Sequence, residues 1–168
     1  MKFIAPDDTT WQTVSEEDGL GITVSPEAYR MLTLLQWHQM RGQWPLEFAV
    51  GVTLPNDINL DEIIPDLPRL QLIALQFPKW VDGRAYSQAR LLRARYRFKG
   101  DIRAIGEVLV DMVPLLDRTG FTSAALRADQ DLQVAQQALS FFPSTAPSNY
   151  QGDVHDNRPR FARLDSSS

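Results

Sequence analysis

Apolar runs and helix-like stretches alternate along most of this chain. Leading segments at 46–54, 70–77, 101–106 and 121–127 are rich in apolar residues, and each gives way to a segment with helical character. The first run breaks at Pro55-Asn56-Asp57 and yields to a short helical piece at 60–64, stopped by Pro65 and Pro68. The second ends at Pro78, after which Asp82-Gly83-Arg84 opens a helix to about 97. The third leads into a helix over about 107–119 that Gly120 terminates, with Pro114 predicting a kink unless the helix starts closer to the proline. The fourth leads to a helix capped by Asp129 and running to about 141. Strands apolar on both faces that alternate with helices are the pattern of a parallel sheet covered by crossovers. The fold class expected is therefore α/β, with about four consecutive βα units forming a half-barrel or a small open sheet. A half-barrel would favour a homodimer that covers its open edges.

Ahead of these units, residues 2–5 and 11–14 lean towards strand and flank the turn-prone Pro6-Asp7-Asp8-Thr9, which predicts a small hairpin. Ser25-Pro26-Glu27 reads as a helix opening, with a capping serine, a proline at the first helical position and an acid in the first turn. That predicts a helix over 26–40. Beyond Phe142 the periodicity is lost, so residues 1–142 are expected to form one α/β domain and 143–168 a flexible tail.

Composition narrows the chemistry. The chain has 168 residues, 43% of them hydrophobic and 23% charged, which suits one water-soluble domain and leaves no run long enough for a membrane span. No signal-peptide pattern opens it, so a cytoplasmic location is expected. The absence of cysteine excludes disulfides, thiolate nucleophiles, zinc-thiolate sites and cysteine-ligated iron-sulfur clusters. His38 and His155 stand alone, and the residues name no cofactor. From Lys79 to Arg103 there are eight basic residues against two acids, a local balance of +6, which leaves −10 for the rest of a chain whose net charge is −4. Such an island is either a solvated basic helix face or a surface that steers an anion or an acidic protein. An acidic chain with no recognition motif is not expected to bind nucleic acid.

Two constellations could carry chemistry. Asp57, Asp82, Glu107 and Asp129 each follow an expected strand, at separations of 25, 25 and 22 residues. Ligands bind at that edge of a parallel sheet, and grouped carboxylates suit Mg²⁺ or Mn²⁺, although acids in these places also serve as helix caps. The second constellation runs from Phe77 to Arg90 through the Asp82-Gly83-Arg84 turn. There Gly83 would allow close approach of backbone to ligand, and Arg84 with Arg90 could clamp an oxyanion.

The stretch Phe77-Pro78 to Arg90, read as F-P-x-x-x-D-G-R-x-Y-S-x-A-R, resembles the signature of an uncharacterised bacterial family described as involved in sulfite reduction. Leu91-Leu92-Arg93, the block from Gly100 to Leu109, Gly120-Phe121 and Leu126-Arg127-Ala128-Asp129 are similar to its later blocks, so the likeness spans about 46–142. Lys79-Trp80 departs from the pattern between the proline and the Asp-Gly-Arg core. The resemblance implies genes beside sulfite or nitrite reductase, and with them a role in assimilatory sulfate reduction. The expectation is an accessory protein that binds a small oxyanion or the reductase through Asp82, Gly83, Arg84, Ser87, Arg90, Arg103 and Arg127. The alternative is a metal-dependent lyase or hydrolase on Asp57, Asp82, Glu107 and Asp129.

Overall fold

The computed structural model describes residues 1–5, 7–14 and 25–141. Among these the elements are β1 (Lys2–Ile4), β2 (Gln12–Thr13), β3 (Arg30–Thr33), α1 (Leu34–Met40), β4 (Val50–Leu54), β5 (Leu72–Phe77), α2 (Arg84–Arg90), β6 (Asp101–Gly106), α3 (Val113–Thr119), β7 (Ser123–Ala125) and α4 (Leu132–Phe141). All seven strands join one parallel sheet in the order β1-β7-β6-β5-β4-β3-β2. The first two strands of the chain thus lie at opposite edges, with only eight residue steps from Ile4 to Gln12. A flat sheet of this width would hold its edges roughly 29 Å apart at the usual strand spacing. Eight steps of extended chain reach about 26–29 Å at most, with nothing left over for the return from the end of β1 to the start of β2. The sheet is accordingly curled into a half-barrel, and the connection crosses its concave side.

Alternation along the strands separates two faces. Val50, Val52 and Leu54, then Ile73, Leu75 and Phe77, then Ile102, Ala104 and Ala124 point outwards into one buried cluster with Trp37, Met40, Ala85, Ala89, Leu92 and Leu116 from the helices. Each large aliphatic or aromatic side chain there contributes roughly 1.5–3 kcal/mol by leaving water. Among the described residues the inner face carries only a small hydrophobic cluster, Met31, Leu72 and Ala74, with Trp11 and Ile105 packed against it.

The four central βα units stand where the hydrophobic pattern puts them, and the N-terminal expectations do not. β1 and β2 form no hairpin: β1 pairs with β7, and β2 with β3. Phe3 gains the outer core in this arrangement, which a free-standing hairpin could not offer. The helix expected over 26–40 begins only at Leu34, because Arg30–Thr33 is drawn into the sheet between β2 and β4. Thr33 is the true cap, its hydroxyl accepting from Gln36 N at 3.3 Å while Gln36 Oε1 accepts from Thr33 N at 2.8 Å. Pro114 causes no kink, since α3 starts at Val113 and the proline occupies its first turn. Gly120 ends α3 in the left-handed conformation, φ 107°, as expected. Asp131 rather than Asp129 caps α4, accepting from Gln133 N at 2.7 Å. The tail expected over 143–168 lies outside the described residues.

After α2 the chain widens into a π-helical turn, Leu91–Arg95, which turns Arg93 inwards. Its guanidinium donates from Nε to Gly120 O at 2.9 Å, from Nη1 to Phe98 O at 2.6 Å and Gly100 O at 2.8 Å, and from Nη2 to Thr122 Oγ1 at 3.2 Å. One side chain thereby ties together the segments that enter β6 and β7. Burial lowers its pKa, with the charge of Asp101 opposing the shift. Arg93→Ala, which strands three backbone carbonyls, should lower the unfolding free energy by roughly 2–4 kcal/mol in urea titrations. Arg93→Lys should recover less than half of that, since an ammonium cannot span the four acceptors. At the end of β6, Gly106 adopts φ 92°, and a Cβ there would lie 2.5 Å from Phe77 O. Gly106→Ala should depress the melting temperature by several degrees, whereas Gly42→Ala, with nothing within 4 Å, should leave it nearly unchanged.

Candidate functional site

The residues that sequence reasoning singles out fall into two separate places. At the strand ends, Asp82 follows β5 and is taken up by its own neighbour. Its Oδ1 accepts from Arg84 N at 3.2 Å and Nε at 3.0 Å, and its Oδ2 from Arg84 Nη2 at 2.7 Å. This bidentate pairing holds the Asp82 carboxyl far below the usual carboxylate range and raises Arg84. After β6 and β7, Arg127 donates to Glu107 Oε2 at 2.7 Å and grips Asp129 through Nε at 2.6 Å and Nη2 at 2.7 Å. The hydrogen bond from Arg127 is the main cause that pulls Asp129 down to about 2. Both forks are filled by carboxylates of the same chain, so an oxyanion would have to displace one of them.

Gly83 sits at φ −83°, a region open to any residue, and a Cβ would meet nothing closer than Tyr86 Cδ2 at 3.7 Å. The backbone conformation of this turn does not itself require glycine. Ser87 and Arg90 are exposed on α2, and the Arg90 side chain makes no hydrogen bond or ion pair among the described residues. Asp57 is exposed, its charge adding to the upward shift of Arg84. Three of the four strand-end acids are paired with two arginines, and no group of three or more His, Cys, Asp or Glu among the described residues is placed to hold a metal ion. Nor is the basic island one helix face. Arg93 is a backbone clamp, Arg103 points to the inner side of the sheet, Arg95 lies over Tyr96, and Lys79 and Arg90 remain in solvent.

The second place is the concave side of the half-barrel, a cavity of about 590 Å³. Its floor follows from the register: Thr33, Thr53, Ala74, Arg103 and Ser123 form one row across five strands. Arg103 is the charged member and is buried, its side chain 9% exposed. Its Nε donates to Ser123 Oγ at 3.2 Å and its Nη2 to Asp101 Oδ2 at 3.2 Å. Asp101 is satisfied further by Ser123 Oγ at 2.7 and 2.8 Å and by Thr122 Oγ1 at 2.5 Å. Trp11 forms part of the wall, made possible by Gly51, where a Cβ would come within 3.1 Å of the indole. Asp8 lies at the rim, held down to about 2 by hydrogen bonds from Thr10, with Lys2 at 3.4 Å adding to the effect.

Of the residues expected to bind a ligand, Arg103 lines this cavity, and Asp82, Gly83, Arg84, Ser87, Arg90 and Arg127 do not. Sequence reasoning missed Asp101, Ser123, Thr33, Thr53 and Gln76 as one polar surface. A signal existed: Asp101 and Arg103 occupy alternate positions of a strand, with Ile102 between them and Ala104 after them, so two charges had to share one face.

No helix among the described residues is long and apolar enough to cross a membrane. Among curated proteins, none matches this chain. Residues 51–161, from β4 through α4 and beyond, match the family described as "Bacterial protein of unknown function (DUF934)". With two thirds of its length covered by that match, the chain belongs to this bacterial family.

Proposed function

We propose that the protein is an accessory component of assimilatory sulfite and sulfate reduction, and that it acts by docking on an acidic surface of the sulfite or nitrite reductase. The pathway rests on the resemblance of the Phe77–Arg90 stretch and its later blocks. The mode of action rests on one observation. The turn between β5 and α2 presents Trp80, 57% exposed, and Val81, 65% exposed, beside Lys79, whose ammonium has no partner among the described residues. Asp82 and Arg84 neutralise each other at the base of that turn, so its tip is apolar and cationic. An exposed tryptophan flanked by a free positive charge is the composition of an interface anchor, and the charge steers approach to an acidic partner. The departure at Lys79-Trp80 from the family pattern falls on the tip itself.

The alternative, a lyase or hydrolase working through a metal ion on Asp57, Asp82, Glu107 and Asp129, has less to draw on. Arg84 and Arg127 already occupy three of those four carboxylates.

Binding of the purified reductase to immobilised protein tests the docking reading. Trp80→Ala should weaken it by about 30-fold, the scale of an interface hot spot, with no change in melting temperature. Lys79→Glu should slow association and reduce its dependence on salt. Equal binding by wild type and both variants would overturn the reading. Millimolar Mg²⁺ or Mn²⁺ should leave the melting temperature in place; a rise of several degrees that Asp129→Asn abolishes would return the metal-dependent alternative.

A further inference from the structure

Parallel sheets are ordinarily covered on both faces. Here the helices cover the outer face, while among the described residues the hydrophobic cluster of the inner face is limited to Met31, Leu72 and Ala74, with Trp11 of the crossing N-terminal segment and Ile105 packed against it. What remains is the cavity of about 590 Å³, within the usual size range of small-molecule sites and far larger than a single tetrahedral oxyanion fills.

Its chemistry is divided. Trp11, Met31, Ile105 and Leu126 supply apolar surface, and Thr33, Thr53 and Gln76 supply hydroxyl and amide groups on the same or adjacent strands. Arg103 is the charged group of the lining that this arrangement leaves partly unused. Ser123 and Asp101 hold its Nε and Nη2, which fixes the plane of the guanidinium, while Nη1 has no hydrogen-bond partner among the described residues and is not sealed from solvent. Asp101 is itself satisfied by two hydroxyls in addition to Arg103, so it does not need the remaining donor. A cation nine-tenths buried, locked in orientation and facing a part-apolar cavity with a free N–H edge, is a built acceptor site.

The geometry points to a binding site on the concave face for a small organic anion, a carboxylate, sulfonate or phosphate carried on an apolar or aromatic body. The anionic group meets Arg103 Nη1, and the body lies against Trp11, Met31 and Ile105. This site is separate from the Trp80 turn, so either can fail without the other.

Anilinonaphthalene sulfonate has this chemistry and reports binding by fluorescence. The wild-type protein should bind it at one equivalent per chain. Phenylnaphthylamine, the same body without the sulfonate, should bind at least tenfold more weakly. Inorganic sulfate at millimolar concentration should fail to displace the dye, because it lacks the body. Arg103→Gln should lower dye affinity by at least tenfold. Should that variant unfold, Thr53→Phe, which fills the cavity from a strand that keeps its outward core residues, should abolish binding at unchanged melting temperature. Undiminished dye binding in a folded Arg103→Gln or Thr53→Phe protein would overturn the proposal, as would equal affinity for the neutral analogue. Displacement of the dye by micromolar sulfate would overturn the organic character of the ligand.

Discussion

A short connection between two distant edges shapes this molecule. Because β1 pairs with β7 and β2 pairs with β3, the eight steps from Ile4 to Gln12 must bridge the whole sheet. The chain is long enough for that only if the sheet curls. The curl gives the sheet an inner side with a cavity, and the same connection lays Asp8 and Trp11 across its mouth. The parallel ladder that permits the curl is anchored from outside, where Phe77, Leu75, Ile73 and their neighbours on β4 and β6 are buried under α1, α2 and α3.

The arginines show how one residue type divides its work by environment. Arg84 and Arg127 lie at the strand ends, within reach of carboxylates two residues away, and are spent on them. Arg93, brought inside by the π-helical turn, finds backbone carbonyls and becomes a clamp. Arg103 lies mid-strand on the concave face, where Ser123 and Asp101 take only part of its fork. These last two belong to one chain of hydrogen bonds. Arg93 donates to Thr122, Thr122 donates to Asp101, and Asp101 accepts from both Ser123 and Arg103. The outer clamp and the floor of the cavity are therefore held by the same carboxylate, which makes the orientation of Arg103 a property of the fold rather than of one local contact.

Much of the fold was legible in the order of residues, and the reasons are local. Four runs with apolar side chains on successive positions can be buried only between layers, so they announced parallel strands. Gly120 could end a helix because it alone among its neighbours tolerates a positive φ. The Asp101–Gly106 run was recognisable to the residue as a strand, even though its inward-facing charges were not read as a surface. The N-terminal elements misled for the opposite reason. Ser25-Pro26-Glu27 carries a sound local helix signal, yet Arg30–Thr33 pairs with strands on either side, and several inter-strand hydrogen bonds outweigh one good cap. Likewise the two short N-terminal segments look like a hairpin to a reader who sees only their proximity in sequence.

By itself, then, the sequence determined the alternation of strands and helices, the apolar runs that form the central strands and the chemical types available, because each of these depends on a residue and its near neighbours. Tertiary structure alone decided which arginines are spent and that Arg103 keeps a free donor inside the cavity, and it decided that Trp11, Met31, Ile105 and Arg103 share that cavity. Those outcomes depend on pairing between segments up to the full width of the sheet apart, and strand register, unlike strand formation, is a long-range property.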